Sequence, residues 1–229
     1  MRTNESTSNQ SSFRGPEDLL CERDVFSKEQ CEDLVRTYDI YSDLSSQTDY
    51  CGNRVLHYWD LQSVPTEQSR LHAAVDAVCT KLAWSSLSTR TYIESLFIAM
   101  LPRGGYHPTH ADNEEYEGNR WKPNHTPQRH YSTLLYLNSD FEGGELYFPI
   151  LGVRIRPTRG LLIGFPSHHG FVHAVDPVKQ GRRYSVACWF TTVAELSLPL
   201  GIVGREKAAH NPHKENTDDQ IVTETRIGR

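Results

Sequence analysis

Seven short runs of β-forming residues follow one another between residues 92 and 192, and they restrict the fold more than any other feature of the chain. Glycine and proline separate these runs, a texture that is typical of an antiparallel sandwich or barrel. The predicted strands are Tyr92–Leu101, Ser132–Leu137, Gly144–Phe148, Val153–Pro157, Gly160–Phe165, Phe171–Ala174 and Arg183–Thr192, with a further short strand upstream at Arg54–Trp59.

Two connections between the predicted strands stand out. The Gly-Gly pair in Glu142–Glu145 predicts a tight turn of the hairpin type. Asn113–Gln128 is rich in Glu, Asn, Gly and Pro, and we interpret it as one long loop. Long loops within compact domains often carry function, so this segment is a candidate lid.

Two helices are predicted before the β-rich region. Ser27 as N-cap and Gln30 as its capping-box partner indicate a helix that runs to about residue 39. Its inward residues would be Cys31, Leu34 and Val35. Pro65 indicates the start of a second helix at 66–83, with an apolar stripe of Leu71, Val75, Val78 and Leu82. We expect both helices to brace a mainly β fold.

Composition excludes several classes of function. The 229-residue chain has a net charge of −5, and its basic residues form no stripe, which argues against nucleic-acid binding. No apolar run approaches the ~20 residues that cross a bilayer. We expect neither nucleic acid nor membrane as a partner, and the oligomeric state stays open. The predicted organisation is a disordered segment at 1–18, a single domain at 19–203 with its core at about 92–195, and a polar mobile tail at 204–229.

Cysteine usage and the chain ends predict a cytoplasmic location. The N-terminus has no apolar signal segment, and the last residues, Ile-Gly-Arg, are not an ER-retention tetrapeptide. The five cysteines share no CxxC spacing, so free thiols in a reducing compartment are expected. They are Cys21, Cys31, Cys51, Cys79 and Cys188.

Three residues form a candidate metal site. His110 and Asp112 stand one residue apart, so on a strand their side chains share a face, and His173 lies on a later predicted strand. Two histidines and one carboxylate make the facial triad of non-haem Fe(II) oxygenases, although a zinc hydrolase can use a similar set. A short connection and a returning strand would bring Arg183 close to His173. A fixed guanidinium there can hold a carboxylate, which a zinc hydrolase does not need.

Four stretches of the chain resemble a known family. They are the HADN sequence at His110–Asn113, then Arg129–Pro149, Gly160–Val175 and Gly181–Phe190. In this order they are similar to the prolyl hydroxylase branch of the 2-oxoglutarate/Fe(II)-dependent dioxygenases, and most of all to the catalytic domain of prolyl 3-hydroxylases. The resemblance covers roughly residues 92–195 and implies a double-stranded β-helix, or jelly-roll, core.

The resemblance also implies roles for individual residues. His110, Asp112 and His173 would bind Fe(II), and Arg183 would hold the far carboxylate of 2-oxoglutarate with help from Tyr136 or Ser185. O₂ would be the second co-substrate, and ascorbate an auxiliary reductant. Candidate substrate contacts are Tyr106, His107, Trp121, His125, Arg129, Tyr131 and Trp189.

The implied reaction is hydroxylation of an unactivated C–H bond with release of succinate and CO₂. The substrate would be a prolyl or other peptidyl residue, or a free amino-acid-like molecule. A tailoring oxygenase of a biosynthetic pathway, acting by hydroxylation, desaturation or ring closure, is an alternative within the same class. A catalytically silent jelly-roll that binds a ligand is an alternative outside it, although all three ligand positions and Arg183 are present.

Overall fold

The computed structural model describes residues 13–14, 18–48, 50–81 and 91–198. Its strands, in chain order, are β1 (Phe13–Arg14), β2 (Leu20–Glu22), β3 (Ser46–Gln47), β4 (Arg54–His57), β5 (Tyr92–Leu101), β6 (His107–His110), β7 (Glu114–Glu117), β8 (Arg120–Pro123), β9 (Tyr131–Tyr136), β10 (Glu142–Gly143), β11 (Leu146–Phe148), β12 (Val153–Ile155), β13 (Leu162–Pro166), β14 (His173–Val175), β15 (Val178–Gln180) and β16 (Arg183–Thr191). The helices are α1 (Lys28–Ile40) and α2 (Pro65–Lys81), and short 3₁₀ turns lie at Ser42–Leu44, Tyr58–Leu61, His169–Phe171 and Ala194–Leu196.

An eight-stranded antiparallel sheet forms one layer of the core, in the order β1-β2-β13-β9-β16-β5-β4-β3. The central strand β16 pairs with β5 and β9 along most of its length. Eight of its nine residues are buried, as expected for a strand covered on both faces. Side chains alternate along the strand, so Arg183, Ser185 and Ala187 share the face that looks toward the second sheet.

A four-stranded sheet in the order β12-β11-β14-β6 forms the second layer. Phe148 of this sheet meets Phe165 of the large sheet edge to face, with ring centroids 5.0 Å apart. The buried core between the layers consists of Leu19, Leu101, Tyr136, Leu146, Phe148, Leu161, Ile163, Phe165, Phe171, Val175 and Val178. Burying each large apolar side chain contributes about 1.5–3 kcal/mol, so this cluster is the main source of stability for the sandwich.

The two helices form where the sequence predicts them. Ser27 caps α1 and makes the predicted capping box with Gln30. The predicted stripe of α2 is buried at Leu71, Val75 and Val78, while Leu82 lies outside the described residues. Two contacts tie the end of α1 to the large sheet: Tyr38 and Tyr184 meet edge to face, and the Tyr184 hydroxyl donates to Asp39.

Some expectations about the helices and the N-terminus need correction. Val35 is only half-buried, and Thr37 and Tyr38 take the inward positions of α1 instead. The strand predicted at Arg54–Trp59 ends at His57, because the Asp60 carboxylate accepts a hydrogen bond from the His57 N–H and starts a 3₁₀ turn. Phe13–Arg14 forms a strand within the segment predicted to be disordered.

The predicted long loop at Asn113–Gln128 is also wrong, since β7 and β8 pair there as a hairpin. Gly118 and Asn119 form its turn with positive φ angles of 60° and 63°, which matches the type I′ turn that closes two-residue hairpins.

The Glu142–Glu145 segment does not close a hairpin either. Its first two residues are the strand β10, which pairs with β15. A Cβ atom on Gly143 would lie 2.3 Å from the Pro177 carbonyl oxygen, so this pairing requires glycine.

Within the described residues no helix is long and apolar enough to span a bilayer. The cysteines at positions 21, 31, 51 and 188 carry thiols rather than disulfides, which confirms the prediction for these four. The Cys79 side chain lies outside the described residues. The predicted domain limits stay a prediction, because the tail at 204–229 also lies outside them.

Candidate metal and keto-acid site

His110, Asp112 and His173 lie together between the two sheets. One ligand atom from each residue can be chosen so that all three lie within 4.8 Å of one another. β6 ends at His110, Asp112 follows two residues later, and β14 begins at His173, which pairs with His110 in register. Asp112 and His173 are buried, at 8% and 5% exposure.

Backbone carbonyls orient both imidazole rings. His110 Nδ1 lies 2.8 Å from the Pro108 carbonyl oxygen, and His173 Nδ1 lies 3.1 Å from that of Phe171. A carbonyl oxygen only accepts, so each Nδ1 carries a proton and donates it. The Nε2 lone pair of each neutral ring is then available to a metal, which is the usual arrangement for metal-binding histidines.

The charges of the three residues suit a divalent cation. Burial by itself would raise the pKa of the Asp112 carboxyl, but His173, His110 and the Ser132 hydroxyl outweigh it and hold that pKa below its usual range. Burial, reinforced by nearby His110, lowers the pKa of His173 to about 4. Asp112 is therefore ionised and His173 neutral at pH 7.

His110 differs from His173 in its preference for a proton. Burial opposes the charged form of His110, but the Asp112 carboxylate, 3.6 Å from its Nε2, outweighs burial and raises the pKa of the imidazole. Below that raised pKa, a proton on His110 competes with a cation for the same place.

Arg183, Tyr136 and Ser185 form a second group on the facing sheet. Arg183 opens β16 and is only 2% exposed, and its Nη2 donates to the Tyr136 hydroxyl at 3.3 Å. Ser185 lies directly opposite Tyr136 on the neighbouring strand. Within the described residues Arg183 has no carboxylate partner, and its Nε is buried without an acceptor. A buried guanidinium without a counter-ion is costly, so this pocket favours an anionic ligand.

Arg183 and His173 approach each other differently from the expectation. β14 belongs to the four-stranded sheet and β16 to the eight-stranded sheet, and β15, which lies between them in sequence, pairs with β10. The strands β14 and β16 are therefore not the two strands of one hairpin. Packing of the two layers, rather than a local turn, brings the metal ligands and the guanidinium into one interior.

His107 lies in the same interior. Burial and the nearby Arg183 lower the pKa of His107 well below its usual value, and its Nε2 is buried without a partner within the described residues. The Tyr50 ring stacks on His107 with centroids 4.5 Å apart and lies 5.0 Å from His110. Tyr50 belongs to the loop between β3 and β4, so that loop covers one side of the predicted ligands.

Arg129 and Trp189 form a separate wall. The Arg129 guanidinium lies 4.4 Å over the Trp189 ring, and its Nε donates to Glu94 at 2.9 Å. Trp189 is the cross-strand neighbour of Ser132, whose hydroxyl contacts Asp112. The Trp189 Nε1 is buried without an acceptor in the described part of the chain.

The other predicted substrate contacts stay predictions. Tyr106 and His125 are exposed, and Trp121 stacks on His169 with centroids 5.4 Å apart. Tyr131 precedes Ser132 on β9 and therefore points to the opposite face of the strand.

Three residues near the triad escaped the sequence analysis. Ser132 and Ser167 form a buried pair beside Asp112, and Tyr50 covers His107. Alternation along β9 could have revealed Ser132, because positions 132 and 136 share a face. Tyr50 offered no such signal, since it lies in a loop distant in sequence.

Comparison with protein families supports the resemblance. Residues 96–191 match the model of the 2OG-Fe(II) oxygenase superfamily. Prolyl 3-hydroxylase 3 of Homo sapiens is 41% identical over 98 residues, which are 39% of this chain and 13% of that protein. Prolyl 3-hydroxylase 2 of Homo sapiens is 44% identical over 94 residues, which are 37% of this chain and 13% of that protein. The chain thus covers only a small part of the length of these relatives.

Solved structures share the fold at low identity. The viral collagen prolyl hydroxylase vCPH from Paramecium Bursaria Chlorella virus-1, in its 2OG complex, matches with a TM-score of 0.59 and 19% identity over 79% of this chain and 98% of that one. A prolyl hydroxylase from Trichoplax adhaerens, in complex with a hypoxia inducible factor peptide fragment, matches with a TM-score of 0.60 and 17% identity over 77% and 84%. The resemblance to prolyl hydroxylases and the double-stranded β-helix core are confirmed.

Proposed function

We propose that this chain, whose residues 96–191 match the 2OG-Fe(II) oxygenase superfamily model, hydroxylates a prolyl or other peptidyl residue. The reaction would use Fe(II), 2-oxoglutarate and O₂ and release succinate and CO₂. One observation carries the proposal: a His–Asp–His cluster shares one interior with a buried guanidinium that has no counter-ion among the described residues.

The cluster fits Fe(II) by the chemistry of its donors. Two imidazole nitrogens and one carboxylate oxygen make the facial set that non-haem Fe(II) uses, with positions left open for other ligands. His110, Asp112 and His173 would hold the metal, and the carbonyls of Pro108 and Phe171 keep both rings aimed. When bound, Fe(II) with 2-oxoglutarate supplies the activation of O₂ that C–H hydroxylation needs.

Arg183 fits the far carboxylate of 2-oxoglutarate. Its guanidinium is charged at every working pH and can bind a carboxylate through two parallel hydrogen bonds. Tyr136 fixes the guanidinium from one side, with its ring centroid 4.8 Å from Cζ. Ser185, opposite Tyr136, adds a buried hydroxyl to the same end of the pocket.

A peptidyl substrate is favoured by the relatives. The core is over 40% identical to human prolyl 3-hydroxylases 2 and 3, and the Trichoplax structure contains a peptide fragment. The wall made by Arg129 and Trp189 would lie beside such a substrate.

The test is a coupled assay on the full chain. Purified protein is loaded anaerobically with Fe(II), then mixed with 2-oxoglutarate, O₂ and a panel of proline-containing peptides. Succinate formation and the gain of one oxygen atom in a peptide, measured by mass spectrometry, are the expected results. Oxygen gain in free L-proline alone would show a free amino acid as substrate, and zinc-dependent hydrolysis without 2-oxoglutarate would overturn the proposal.

A matched pair of variants shows whether turnover belongs to this site. His110→Ala should abolish succinate formation, whereas His72→Ala should leave it unchanged. His72 lies on α2, where its partner is Asp76 rather than a residue of the triad. Equal activity in both variants would contradict the site.

A further inference from the structure

The two oxygens of the Asp112 carboxylate have different partners. Oδ1 lies 3.6 Å from His110 Nε2. Oδ2 lies 3.9 Å from His173 Nε2 and also accepts a 2.5 Å hydrogen bond from the Ser132 hydroxyl. No hydroxyl or amide of the described residues donates to Oδ1. Both oxygens thus lie near an imidazole nitrogen of the cluster, but within the described residues only Oδ2 has a lone pair engaged by a hydroxyl.

Ser132 is itself held in place. It is 2% exposed on β9, between Trp189 of β16 and Phe165 of β13. Its Oγ lies 2.7 Å from the Ser167 Oγ. Ser132 has one hydroxyl proton, and it donates this proton in a hydrogen bond to Asp112 because a carboxylate can only accept. Ser167 must therefore be the donor to Ser132, and the two hydroxyls form a directional relay that ends on Oδ2.

Ser167 also fixes the backbone of Asp112. Its carbonyl oxygen accepts from the N–H groups of Asp112 and Asn113, at 3.0 and 3.3 Å. Ser167 directly follows β13 and leads into the turn before His173. One residue thus holds the aspartate by its main chain and, through Ser132, by its side chain.

We propose that Ser132, supported by Ser167, is a positioning residue that keeps Asp112 a single-oxygen metal ligand through Oδ1. The inference rests on the proposed function and deepens it. A six-coordinate metal with three protein ligand atoms keeps three positions, which a chelating keto acid and O₂ fill. An aspartate that binds through both oxygens would leave one position too few.

The test compares two anions on Mn²⁺-saturated protein by titration calorimetry. 2-Oxoglutarate takes two metal positions, whereas succinate can use Arg183 with one. In Ser132→Ala the affinity for 2-oxoglutarate should fall about tenfold or more, the usual range for loss of a residue that orients a ligand. The affinity for succinate should stay within about twofold of wild type, since Arg183 is untouched.

Two further variants separate positioning from simple packing. Ser132→Thr keeps the hydroxyl and should keep the wild-type preference for 2-oxoglutarate over succinate. Thr133→Val removes the next hydroxyl on β9, which is equally buried and donates to the Cys188 carbonyl, and should leave both affinities unchanged. If Ser132→Ala does not fold, Ser167→Ala tests the relay and should shift the preference in the same direction.

The outcomes distinguish this inference from the proposed function. Wild-type protein that fails to bind 2-oxoglutarate when Mn²⁺ is saturating would overturn the proposed function. Wild-type binding with an unchanged 2-oxoglutarate-to-succinate ratio in Ser132→Ala would overturn only the role of Ser132. An equal loss of affinity for 2-oxoglutarate and succinate would also overturn the role of Ser132, because it would show damage to the Arg183 end of the pocket.

Discussion

At the floor of the site, backbone carbonyls and buried hydroxyls fix the predicted ligands, whereas at its rim side chains are held mainly by one another. At the floor, His110 and His173 each contact a backbone carbonyl, and Asp112 contacts a buried hydroxyl. On the rim, the Tyr50 ring stacks on His107, and the Arg129 guanidinium stacks on Trp189. The difference teaches that the floor is built to hold one geometry, while the rim can change its contacts without disturbing the ligands.

The comparisons with known proteins set one part of the rim apart from the floor. All four predicted ligand and anchor residues fall within 96–191, the range that matches the superfamily model. Tyr50 lies outside that range. His107, Arg129 and Trp189 of the rim lie inside the matched range as well, so among the rim residues only Tyr50 stands on a loop outside it. Loops commonly carry specificity, so we propose this loop as a place that influences substrate choice.

The strongest test of the floor is Asp112→Ala. We expect succinate formation to fall by at least about a thousandfold, because a charged metal ligand and the charge balance of the two histidines are lost together. Mn²⁺ binding, followed through the EPR signal of free Mn²⁺, should weaken in parallel. A variant that keeps its turnover would break the distinction between floor and rim.

Arg183→Lys should have the next largest effect. Lysine keeps the charge but not the paired geometry of the guanidinium. A hydrogen bond to a charged group contributes about 1.5–3 kcal/mol, so losing one should raise the 2-oxoglutarate concentration for half-maximal turnover about 10- to 100-fold. Mn²⁺ affinity should not change, and an equal loss of both would contradict the anchor role.

The pH dependence of metal binding sharpens the comparison within the floor. Burial opposes a proton on His110, but the nearby Asp112 carboxylate outweighs burial and raises the pKa of His110, whereas burial lowers the pKa of His173 to about 4. Asp112 is already ionised. From about pH 5 up to the raised pKa of His110, metal binding therefore displaces one proton.

Mn²⁺ affinity of the apo protein should thus rise about tenfold per pH unit through that window and level off above it. Calorimetry in buffers of different ionisation enthalpy would count the released protons directly. Release of two protons at pH 6 would show that His173 is protonated there as well, against the effect of its burial.

Sequence alone identified the floor because its residues follow the rules of strands and ligands. His110 and Asp112 form the His-x-Asp motif although β6 ends at His110, and Arg183 opens a strand whose alternation is easy to read. The hairpin at Glu114–Pro123 could also have been predicted, because Gly118-Asn119 is a two-residue hairpin turn. Its acidic, exposed residues instead suggested a loop.

Other features depend on contacts that local patterns do not encode. Tyr50 reaches His107 across more than fifty positions of sequence, through a loop with no periodicity. The meeting of His173 with Arg183 follows from the packing of two sheets rather than from the ten residues that separate them. Such placement is a property of the tertiary fold, so no window of sequence contains it.

The smallest expected effect belongs to the hairpin at the rim. Glu114 Oε2 accepts from both the backbone N–H and the Nδ1 of His169, at 2.7 Å each, and Trp121 stacks on the same imidazole. Glu114→Gln removes the charge from a partly exposed pair, so the free energy of unfolding should fall by less than about 1 kcal/mol.

Among the kinetic constants, Glu114→Gln should change only those for the peptide substrate. A loosened hairpin should raise the KM for a peptide substrate a few-fold while leaving the requirement for 2-oxoglutarate unchanged, because β7 and β8 contribute no residue to the Arg183 pocket. Glu117→Gln, on the same hairpin but paired with Lys122, is the matched control and should change neither constant. If Glu114→Gln instead raised the 2-oxoglutarate requirement, the rim would be coupled to the floor and the two regions would have to be treated as one site.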